Sequence, residues 1–304
     1  VVNANDLRML MDSALDMWLT AGRFCEEFEK KFAEFWGTRY SLFVNSGSSA
    51  NLVAFSALTS PLLKDKRLLP GDEFITPAAG FPTTVNPGIQ FGMTPVFIDV
   101  DMGIHNVTLD EVERAITPKT KLVMIAHTLG NPYDAKGIAE LCKSKGIWFV
   151  EDCCDALGAK LDGQPVGTFG NISTCSFYPA HHITTGEGGA VMTSSPSLKK
   201  IAESFRDWGR DCYCAPACEN SCGKRYEWQL GELPYGYDHK YIYSHIGYNL
   251  KGTDMQASLG LSQLSRAPEF IERRRKNFSY LKNALNSLGG DEFFETPTTL
   301  PSAE

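Results

Sequence analysis

Long apolar runs and an excess of positive charge are both missing from this 304-residue sequence. No stretch of about 20 apolar residues occurs, so the sequence predicts no membrane-spanning helix. The 29 Lys and Arg residues are outnumbered by 36 Asp and Glu residues, which gives a net charge of −7. This balance argues against a protein that wraps nucleic acid or binds membranes through a polybasic surface.

The first ten residues, VVNANDLRML, contain neither an initiator Met nor the apolar core of a secretory signal. We therefore expect a chain that begins inside a longer protein and works in the cytoplasm. Nine cysteines, an odd number, favour thiols kept reduced over a scaffold held by disulfides. They leave metal binding and catalysis open.

Strand-like and helix-like segments alternate along the first half of the chain. Strands are predicted at residues 40–44, 73–76, 95–100, 122–126 and 147–150, and helices at 48–59, 84–91, 109–116 and 135–145. This alternation predicts an α/β fold with a mainly parallel central sheet flanked by helices.

The second half of the chain is less regular. A Gly-rich hairpin is predicted at residues 158–170 and a Cys-rich loop without periodicity at 208–250, and residues 254–288 are predicted to be helical with an interruption at Pro268. We expect a large cofactor-binding domain over residues 1–250. Residues 251–304 would form a connecting long helix and the start of a truncated C-terminal small domain.

Polar side chains follow the predicted strands at three places. Residues 45–51, NSGSSAN, join a strand to a helix, where small residues and free amides can hold a phosphate, although an ordinary helix cap made by Ser48 or Ser49 is the alternative. Asp152 ends an apolar strand, at the edge where open α/β sheets bind ligands, but it could equally cap a helix. His181 and His182 precede a Gly-rich loop and could supply a base, a metal pair or structural side chains.

A family resemblance connects these segments. In order, NSGSSAN, the aromatic residue of AAGFPTT, the aspartate of VED, and SFYP followed by GEGGA resemble the sugar-nucleotide aminotransferases of the DegT/StrS type. The resemblance implies an aspartate-aminotransferase-like fold (the PLP-dependent transferase fold type I) and a vitamin B6 cofactor. It implies that Ser48, Ser49 and Ser176 contact the cofactor phosphate. By the same resemblance Phe81 stacks on the pyridine ring and Asp152 keeps the ring nitrogen protonated.

One position departs from the family's pattern. The aminotransferases carry their cofactor-binding lysine two residues after the proline of this motif, and here that residue is His181, with no lysine between Lys160 and Lys199. Imidazole has no primary amine but moves protons near neutral pH. The sequence therefore predicts noncovalent pyridoxamine phosphate (PMP) and proton abstraction by His181. The resemblance also implies a homodimer, in which Asn249 reaches the cofactor phosphate of the neighbouring subunit.

The cysteines divide into two sets. Cys25, Cys142 and Cys175 lie singly in helix or strand patterns and are predicted core residues. The remaining six are Cys153, Cys154, Cys212, Cys214, Cys218 and Cys222.

Four cysteines match a cluster pattern found among the family's 3-dehydrases, with 57, one and seven residues between successive members. They are Cys154, Cys212, Cys214 and Cys222. The resemblance implies that these four bind a [2Fe–2S] cluster, while Cys153 and Cys218 are extra and could exchange with a ligand. Strand alternation favours Cys154 over Cys153, and zinc is the competing metal for such a loop.

The resulting hypothesis is C3 deoxygenation of a CDP-linked 4-keto-6-deoxyhexose, for 3,6-dideoxyhexose biosynthesis. It requires PMP, the [2Fe–2S] cluster and an NAD(P)H-dependent iron–sulfur flavoprotein reductase. Two alternatives remain: a cluster-free 3-dehydratase that uses glutamate, and a non-catalytic protein of this fold with structural zinc in the Cys-rich loop. Asp238, His239 and His245 either contact the sugar nucleotide or shape the loop.

Overall fold

The computed structural model describes residues 2–212, 214 and 220–304, and within these ranges nine α-helices and nine strands are present. The helices are α1 (Ala4–Leu15), α2 (Arg23–Trp36), α3 (Gly47–Leu58), α4 (Pro82–Gln90), α5 (Leu109–Ala115), α6 (Ala135–Lys145), α7 (Pro196–Arg206), α8 (Asp254–Leu264) and α9 (Ala267–Ser287). The strands are β1 (Tyr40–Val44), β2 (Glu73–Pro77), β3 (Thr94–Ile98), β4 (Thr120–Ala126), β5 (Trp148–Asp152), β6 (Lys160–Leu161), β7 (Gln164–Pro165), β8 (Ile172–Ser176) and β9 (Gly189–Thr193).

Seven strands form the central sheet in the order β1-β9-β8-β5-β4-β2-β3. The strands from β3 to β8 in this order pair in parallel, and β9 runs antiparallel to both β8 and β1. The predicted mainly parallel sheet is therefore confirmed. The hairpin predicted at residues 158–170 is present as the separate pair β6 and β7.

Alternating side chains of the strands pack into two apolar layers, one on each face of the sheet. In β1, Phe43 belongs to one layer and Leu42 to the other. Helices α2 and α8 cover the first layer, where Phe28 and Phe32 make edge-to-face contacts with Phe177. Helices α3 and α7 cover the second layer. Both faces of the sheet are thus packed, which fixes the positions of residues at the strand ends.

The carboxyl ends of β1, β5 and β8 lie at the same edge of the sheet, because the reversed strand β9 separates two strands that run in the same direction. Asp152 is the last residue of β5, and Ser176 is the last residue of β8. Helix α3 begins at Gly47, just after β1. Three of the predicted ligand-binding segments therefore meet at one edge.

One sequence argument about the cysteines does not apply to the folded chain. Strand β5 ends at Asp152, so alternation along the strand does not decide between Cys153 and Cys154. Cys153 is fully buried, whereas Cys154 is half-buried.

The 208–250 segment is irregular in its described part, where a single short 3₁₀ turn covers His239–Tyr241. The predicted interruption at Pro268 is present, because Pro268 is the second residue of α9 and α8 ends at Leu264. The division into domains at residue 250 stays a prediction. Among the described residues, none of the helices has the length and apolarity needed to cross a membrane.

Candidate active site

Asp152 is held by a network of buried polar groups. Its side chain is only 4% exposed. Asn51 Nδ2 and Thr84 Oγ1 each donate to Asp152 Oδ2 at 2.8 Å, and the backbone amide of Cys154 donates to Oδ1 at 3.1 Å. Asn51 is itself fixed, because its Oδ1 accepts a hydrogen bond of 2.6 Å from Thr174 Oγ1. The carboxylate is therefore oriented by three separate elements of the fold.

Sequence reasoning missed Asn51 and Thr84 as site residues. Asn51 is 1% exposed on α3, a helix whose other buried side chains are mostly apolar, and a lone polar residue in such a run was the available signal. Thr84 lies in the first turn of α4 and is also buried. Both side chains donate hydrogen bonds to Asp152, so the neighbouring helices supply the partners of this carboxylate at the strand end.

The neighbouring acid, Glu151, faces the opposite side of the sheet and has a different role. Its carboxylate accepts hydrogen bonds from the backbone amides of Gly167, Phe169 and Gly170 and contacts His127 Nε2 at 3.0 Å. These partners satisfy a fully buried charge. Glu151 thus anchors the 167–170 turn.

The start of α3 lies against the end of β8. A methyl group added to Gly47 would lie 2.5 Å from Ser176 Cβ, closer than real side chains approach. Ser48 is exposed and Ser49 half-buried in the first turn of the helix. The structure therefore brings together Ser48, Ser49 and Ser176, the three residues predicted to contact a phosphate.

The residue that caps the start of α3 is neither of the two that the sequence offered for an ordinary helix cap, Ser48 and Ser49. The N-cap is Ser46, whose Oγ accepts a hydrogen bond of 3.0 Å from the Ser49 amide. Ser49 Oγ donates to Asn45 Oδ1 at 2.6 Å. Because Ser46 caps the helix, the Ser48 hydroxyl is left facing solvent at the positive end of the helix dipole.

Phe81 immediately precedes α4 and is 67% exposed. Most of this ring is therefore open at the surface of the chain. Thr84, one turn later, bonds to Asp152, so the ring belongs to the same edge of the site. This placement is compatible with the predicted stacking of Phe81 on a planar ligand.

His181 pairs with an acidic residue that the sequence analysis did not select. His181 Nδ1 lies 3.1 Å from Asp155 Oδ1. The hydrogen bond from His181 lowers the pKa of the Asp155 carboxyl below its usual value, although partial burial opposes this. The backbone is fixed as well, since Arg274 Nη2 donates to the His181 carbonyl at 2.8 Å. The imidazole is thus oriented through Nδ1, which leaves Nε2 to act on a ligand.

The adjacent His182 has a different environment. Burial, together with the neighbouring Arg274 and His181 side chains, lowers the pKa of His182 to about 4. Its Nδ1 is buried and has no hydrogen-bond partner within the described part of the chain. His182 is therefore neutral at physiological pH, and the two neighbouring histidines are not equivalent.

A cavity of about 550 Å³ opens beside these histidines. It is lined by Asp155, His182, Arg274 and Arg275, together with apolar side chains of α9. Its volume lies in the usual range for small-molecule sites. The two guanidinium groups are suited to bind phosphate.

Asn249 is exposed, and its Oδ1 accepts a hydrogen bond of 2.8 Å from Lys251 Nζ. The segment lies beside the start of α3 of its own chain, since the Asn45 amide donates to the Leu250 carbonyl at 2.9 Å. The contact of Asn249 with a neighbouring subunit stays a prediction.

The three cysteines predicted to lie in the core are confirmed there. Cys25, Cys142 and Cys175 are at most 5% exposed. Burial raises the pKa of all three thiols, that of Cys142 to about 12. These side chains act as small apolar residues.

Three of the four predicted cluster ligands gather in the Cys-rich loop, together with His239. The ligand atoms of Cys212, Cys214 and His239 lie within 4.8 Å of one another, and Cys222 Sγ is 3.3 Å from His239 Nε2. Burial raises the pKa of Cys214, but the backbone amide of Cys222 and the side chains of Ser221, Cys222 and Cys212 together lower it to about 7. Cys218 lies outside the described residues.

Cys154, the fourth predicted ligand, is not part of this group as the structure describes it. It follows β5 beside Asp152, to which its amide donates. Burial, together with the nearby Asp152 carboxylate, raises the pKa of the Cys154 thiol well above its usual value. The joint role of the four cysteines as cluster ligands stays a prediction.

Comparison with known proteins gives the family. A model of the DegT/DnrJ/EryC1/StrS aminotransferase family matches residues 2–302. The lipopolysaccharide biosynthesis protein RfbH of Salmonella typhimurium is 60% identical over 297 residues, 98% of this chain and 68% of that protein. The dTDP-4-dehydro-2,6-dideoxy-D-glucose 3-dehydratase of Saccharopolyspora spinosa is 53% identical over 290 residues, 95% of this chain and 63% of that protein. The chain thus spans about two thirds of the length of these relatives.

A solved structure supports the same assignment. GDP-4-keto-6-deoxymannose-3-dehydratase with a trapped PLP-glutamate geminal diamine matches with a TM-score of 0.82 and 27% identity, over 94% of this chain and 72% of that chain. The predicted aspartate-aminotransferase-like fold is therefore confirmed. The chain belongs to the DegT/DnrJ/EryC1/StrS aminotransferase family.

Proposed function

We propose that this protein removes the C3 hydroxyl group from a nucleotide-linked 4-keto-6-deoxyhexose, with PMP as cofactor and His181 as the base. The observation that carries the proposal is the His181–Asp155 pair, in which His181 Nδ1 and Asp155 Oδ1 are 3.1 Å apart. His181 occupies the position where the family's aminotransferases carry lysine. When bound, PMP supplies the amine that condenses with the C4 ketone and the ring that delocalises electrons. A histidine there favours proton transfer over covalent attachment of the cofactor.

The residues at the sheet edge fit such a cofactor. The α3 terminus against Ser176 offers hydroxyl groups and free amides to a phosphate. Asp152 presents an oriented carboxylate to a ring nitrogen, and Phe81 presents an exposed aromatic face. These residues would hold the cofactor without a covalent bond.

His181 acts as the base through Nε2, because Nδ1 faces Asp155. The proton that it removes is the one at C4′ of the cofactor. Asp155 is a positioning residue that fixes the ring orientation and stabilises the imidazolium once the proton has been taken up. Neutral His182 does not add a second positive charge beside it.

The cavity beside His182 is the proposed site for the nucleotide part of the substrate. Arg274 and Arg275 would face its diphosphate, and the apolar wall from α9 would exclude water. The sequence resemblance predicts CDP, whereas the relatives' names specify dTDP and GDP. We propose the CDP-linked sugar as the preferred substrate.

Regeneration of the cofactor amine from glutamate is one way to complete the cycle. The neighbour solved with PLP and glutamate supports this route, and the names of the compared proteins give no support to the predicted [2Fe–2S] cluster or reductase. In this route glutamate supplies the two electrons for deoxygenation and is oxidised to 2-oxoglutarate, so no reductase is required. Hydrolysis restores the sugar ketone and releases the amine nitrogen as ammonia.

Reductive completion, with electrons from a [2Fe–2S] cluster and a reductase, is the second candidate. The convergence of Cys212, Cys214 and Cys222 favours it, because a metal-binding loop has no role in the glutamate route. In both routes the protein would act as a homodimer.

The experiment supplies PMP-loaded protein with CDP-, dTDP- or GDP-linked 4-keto-6-deoxyhexose and follows exchange of the C4′ proton. Parallel reactions contain either glutamate or NAD(P)H with an iron–sulfur flavoprotein reductase. We expect substrate-dependent exchange and a 3-deoxygenated sugar. Formation of a 4-amino sugar, or absence of exchange with all three nucleotides, would overturn the proposal. The additive that supports turnover identifies the route.

A further inference from the structure

Leu129 is an exposed leucine in a strained backbone conformation beside the cavity next to His182. It lines that cavity and is 79% exposed, with φ of 54° and ψ of 22°. A bulky side chain in this left-handed region is uncommon and costs free energy. His105, on a neighbouring loop, lines the same cavity with the same φ. Backbone strain of this kind is concentrated at ligand-binding sites.

The loop around Leu129 is held in place by contacts with the rest of the fold. The Thr128 amide donates to Asn106 Oδ1 at 3.3 Å. Gly130 lies against the chain at Asp155, because a methyl group added to Gly130 would be 2.6 Å from the Asp155 carbonyl oxygen. These contacts support the strained conformation of Leu129 and leave its side chain exposed at the cavity.

Leu129 also lies next to the proposed base. Its backbone amide donates a hydrogen bond to the Asp155 carboxyl group, and the same carboxyl group faces His181 Nδ1 at 3.1 Å. Arg274, which donates to the His181 carbonyl, lines the same cavity. A sugar whose reacting carbons lie at His181 is therefore close to the Leu129 side chain.

The chemistry of the proposed substrate shows which group suits an apolar side chain there. In a 4-keto-6-deoxyhexose, C3 carries the hydroxyl group that leaves, C4 carries the ketone, and C5 carries the C6 methyl group. That methyl group is the apolar substituent of the ring. Burial of a methyl group against leucine is favourable, whereas a hydroxyl group at C6 would face leucine without a hydrogen-bond partner.

We propose that Leu129 contacts the C6 methyl group of the substrate and selects 6-deoxyhexoses over hexoses that keep the C6 hydroxyl group. The inference rests on the proposed function and assigns one part of the substrate to one side chain. Leu129 would then act twice, since its amide orients Asp155 and its side chain contacts the sugar.

The test compares two substrates that differ only at C6, 4-keto-6-deoxyglucose and 4-ketoglucose, each linked to the nucleotide that gives C4′ proton exchange with wild type. The value of kcat/KM for exchange is measured for both sugars in wild type, Leu129→Ser, Leu129→Gly and Leu129→Met. We expect wild type to prefer the 6-deoxy sugar by about tenfold or more, and Leu129→Met to keep most of this preference. Leu129→Ser and Leu129→Gly should reduce the preference to about threefold or less. Glycine accepts a positive φ without strain, so a loss of preference in Leu129→Gly assigns it to the side chain.

Leu62→Ser is the matched control, because Leu62 is 58% exposed and lies away from this cavity. The preference should be unchanged in this variant. The ratio between the two sugars cancels effects of a variant on His181, since both substrates use the same base. Equal kcat/KM for the two sugars in wild type, or an undiminished preference in Leu129→Gly, would overturn this inference and leave the proposed dehydration intact. Absence of exchange with every sugar nucleotide in wild type would instead refute the proposed function, and this inference with it.

Discussion

His181 Nδ1 and Asp155 Oδ1 lie 3.1 Å apart, which places a carboxylate behind the proposed base. We expect Asp155→Asn to reduce the rate of C4′ proton exchange by about tenfold or more, because the amide neither orients the imidazole as firmly nor stabilises its positive charge. Pairing with His181 lowers the pKa of the Asp155 carboxyl. The contribution of Asp155 to the free energy of unfolding is therefore present above about pH 4 and is lost as the pH falls further. Asp110→Asn, at an exposed position of α5, controls for the loss of one negative charge. An unchanged exchange rate and pH profile in Asp155→Asn would show that the pair is only structural.

Replacement of His181 tests the base directly. We expect His181→Asn to slow C4′ proton exchange by about two to four orders of magnitude, while PMP still binds. His181→Lys would supply a primary amine at this position and is expected to bind PLP covalently, visible as a shifted absorption band that borohydride fixes. Exchange at the wild-type rate in His181→Asn would remove this residue from the mechanism.

Asn51 connects Thr174 to Asp152, and its loss should affect both stability and cofactor binding. Asn51→Ala removes two buried hydrogen bonds and leaves their partners unsatisfied, so we expect the free energy of unfolding to fall by about 1–3 kcal/mol. PLP affinity should fall in parallel because Asp152 loses its orientation. Thr84→Val removes one hydrogen bond to Asp152 and should have a smaller effect on both quantities. Urea unfolding and fluorescence titration with PLP measure them, and equal effects of the two variants would contradict this order.

Gly47 is required by the close approach of α3 to β8. Gly47→Ala would place a methyl group 2.5 Å from Ser176 Cβ, so we expect a loss of about 1–3 kcal/mol in the free energy of unfolding and weaker PLP binding. Gly80→Ala is the matched control, because its added methyl group would meet its nearest neighbours at 3.8 Å. The control should lose no stability. Gly47→Ala with wild-type stability and PLP affinity would refute the close contact.

The lowered pKa of His182 predicts that the free energy of unfolding depends on pH. Its pKa of about 4 in the folded protein is below the usual 6.5, so the unfolded chain binds the proton more strongly. Its contribution to stability is therefore complete above about pH 6.5 and declines as the pH falls toward 4, by at most about 1.4 kcal/mol per pH unit. His182→Gln should show a flatter dependence between about pH 7 and pH 5 in urea unfolding. Identical slopes for the two proteins would contradict the assignment.

The alternation of strands and helices was predictable because each strand is a short apolar run bounded by turn residues. Strand β5 continues two residues beyond the predicted end at residue 150, since the sequence has no signal that distinguishes the paired end of a strand from the loop after it. Asp152 and the serines near α3 could be selected from their places after strands. Their polar partners could not, because Asn51 and Thr84 come from helices whose packing is set by the tertiary fold.

In the Cys-rich loop, the sequence predicted the grouped cysteines but not the histidine that lies beside them. The spacing of Cys212, Cys214 and Cys222 marked them as a group, and the structure brings them close together. His239 could not be selected, because 16 residues separate it from Cys222 and tertiary contacts such as the Arg225–Asp238 ion pair bring the two ends of this segment together. Asp155 was missed for a similar reason, since its partner His181 lies on the far side of β8 in sequence.

The hydrogen bonds around Asp152 have a consequence for selectivity. A carboxylate offers about four lone-pair positions, and Asn51, Thr84 and the Cys154 amide use three of them on Asp152. The acceptor direction that remains on Oδ1 is shared with the Cys154 thiol, which also hydrogen-bonds to this carboxylate. A ligand group that points an N–H at Oδ1 can donate a hydrogen bond to it. A group that points a lone pair at Oδ1 is repelled by the negative charge of the carboxylate. The carboxylate thus discriminates between protonated and unprotonated rings of the same shape, before any step of chemistry begins.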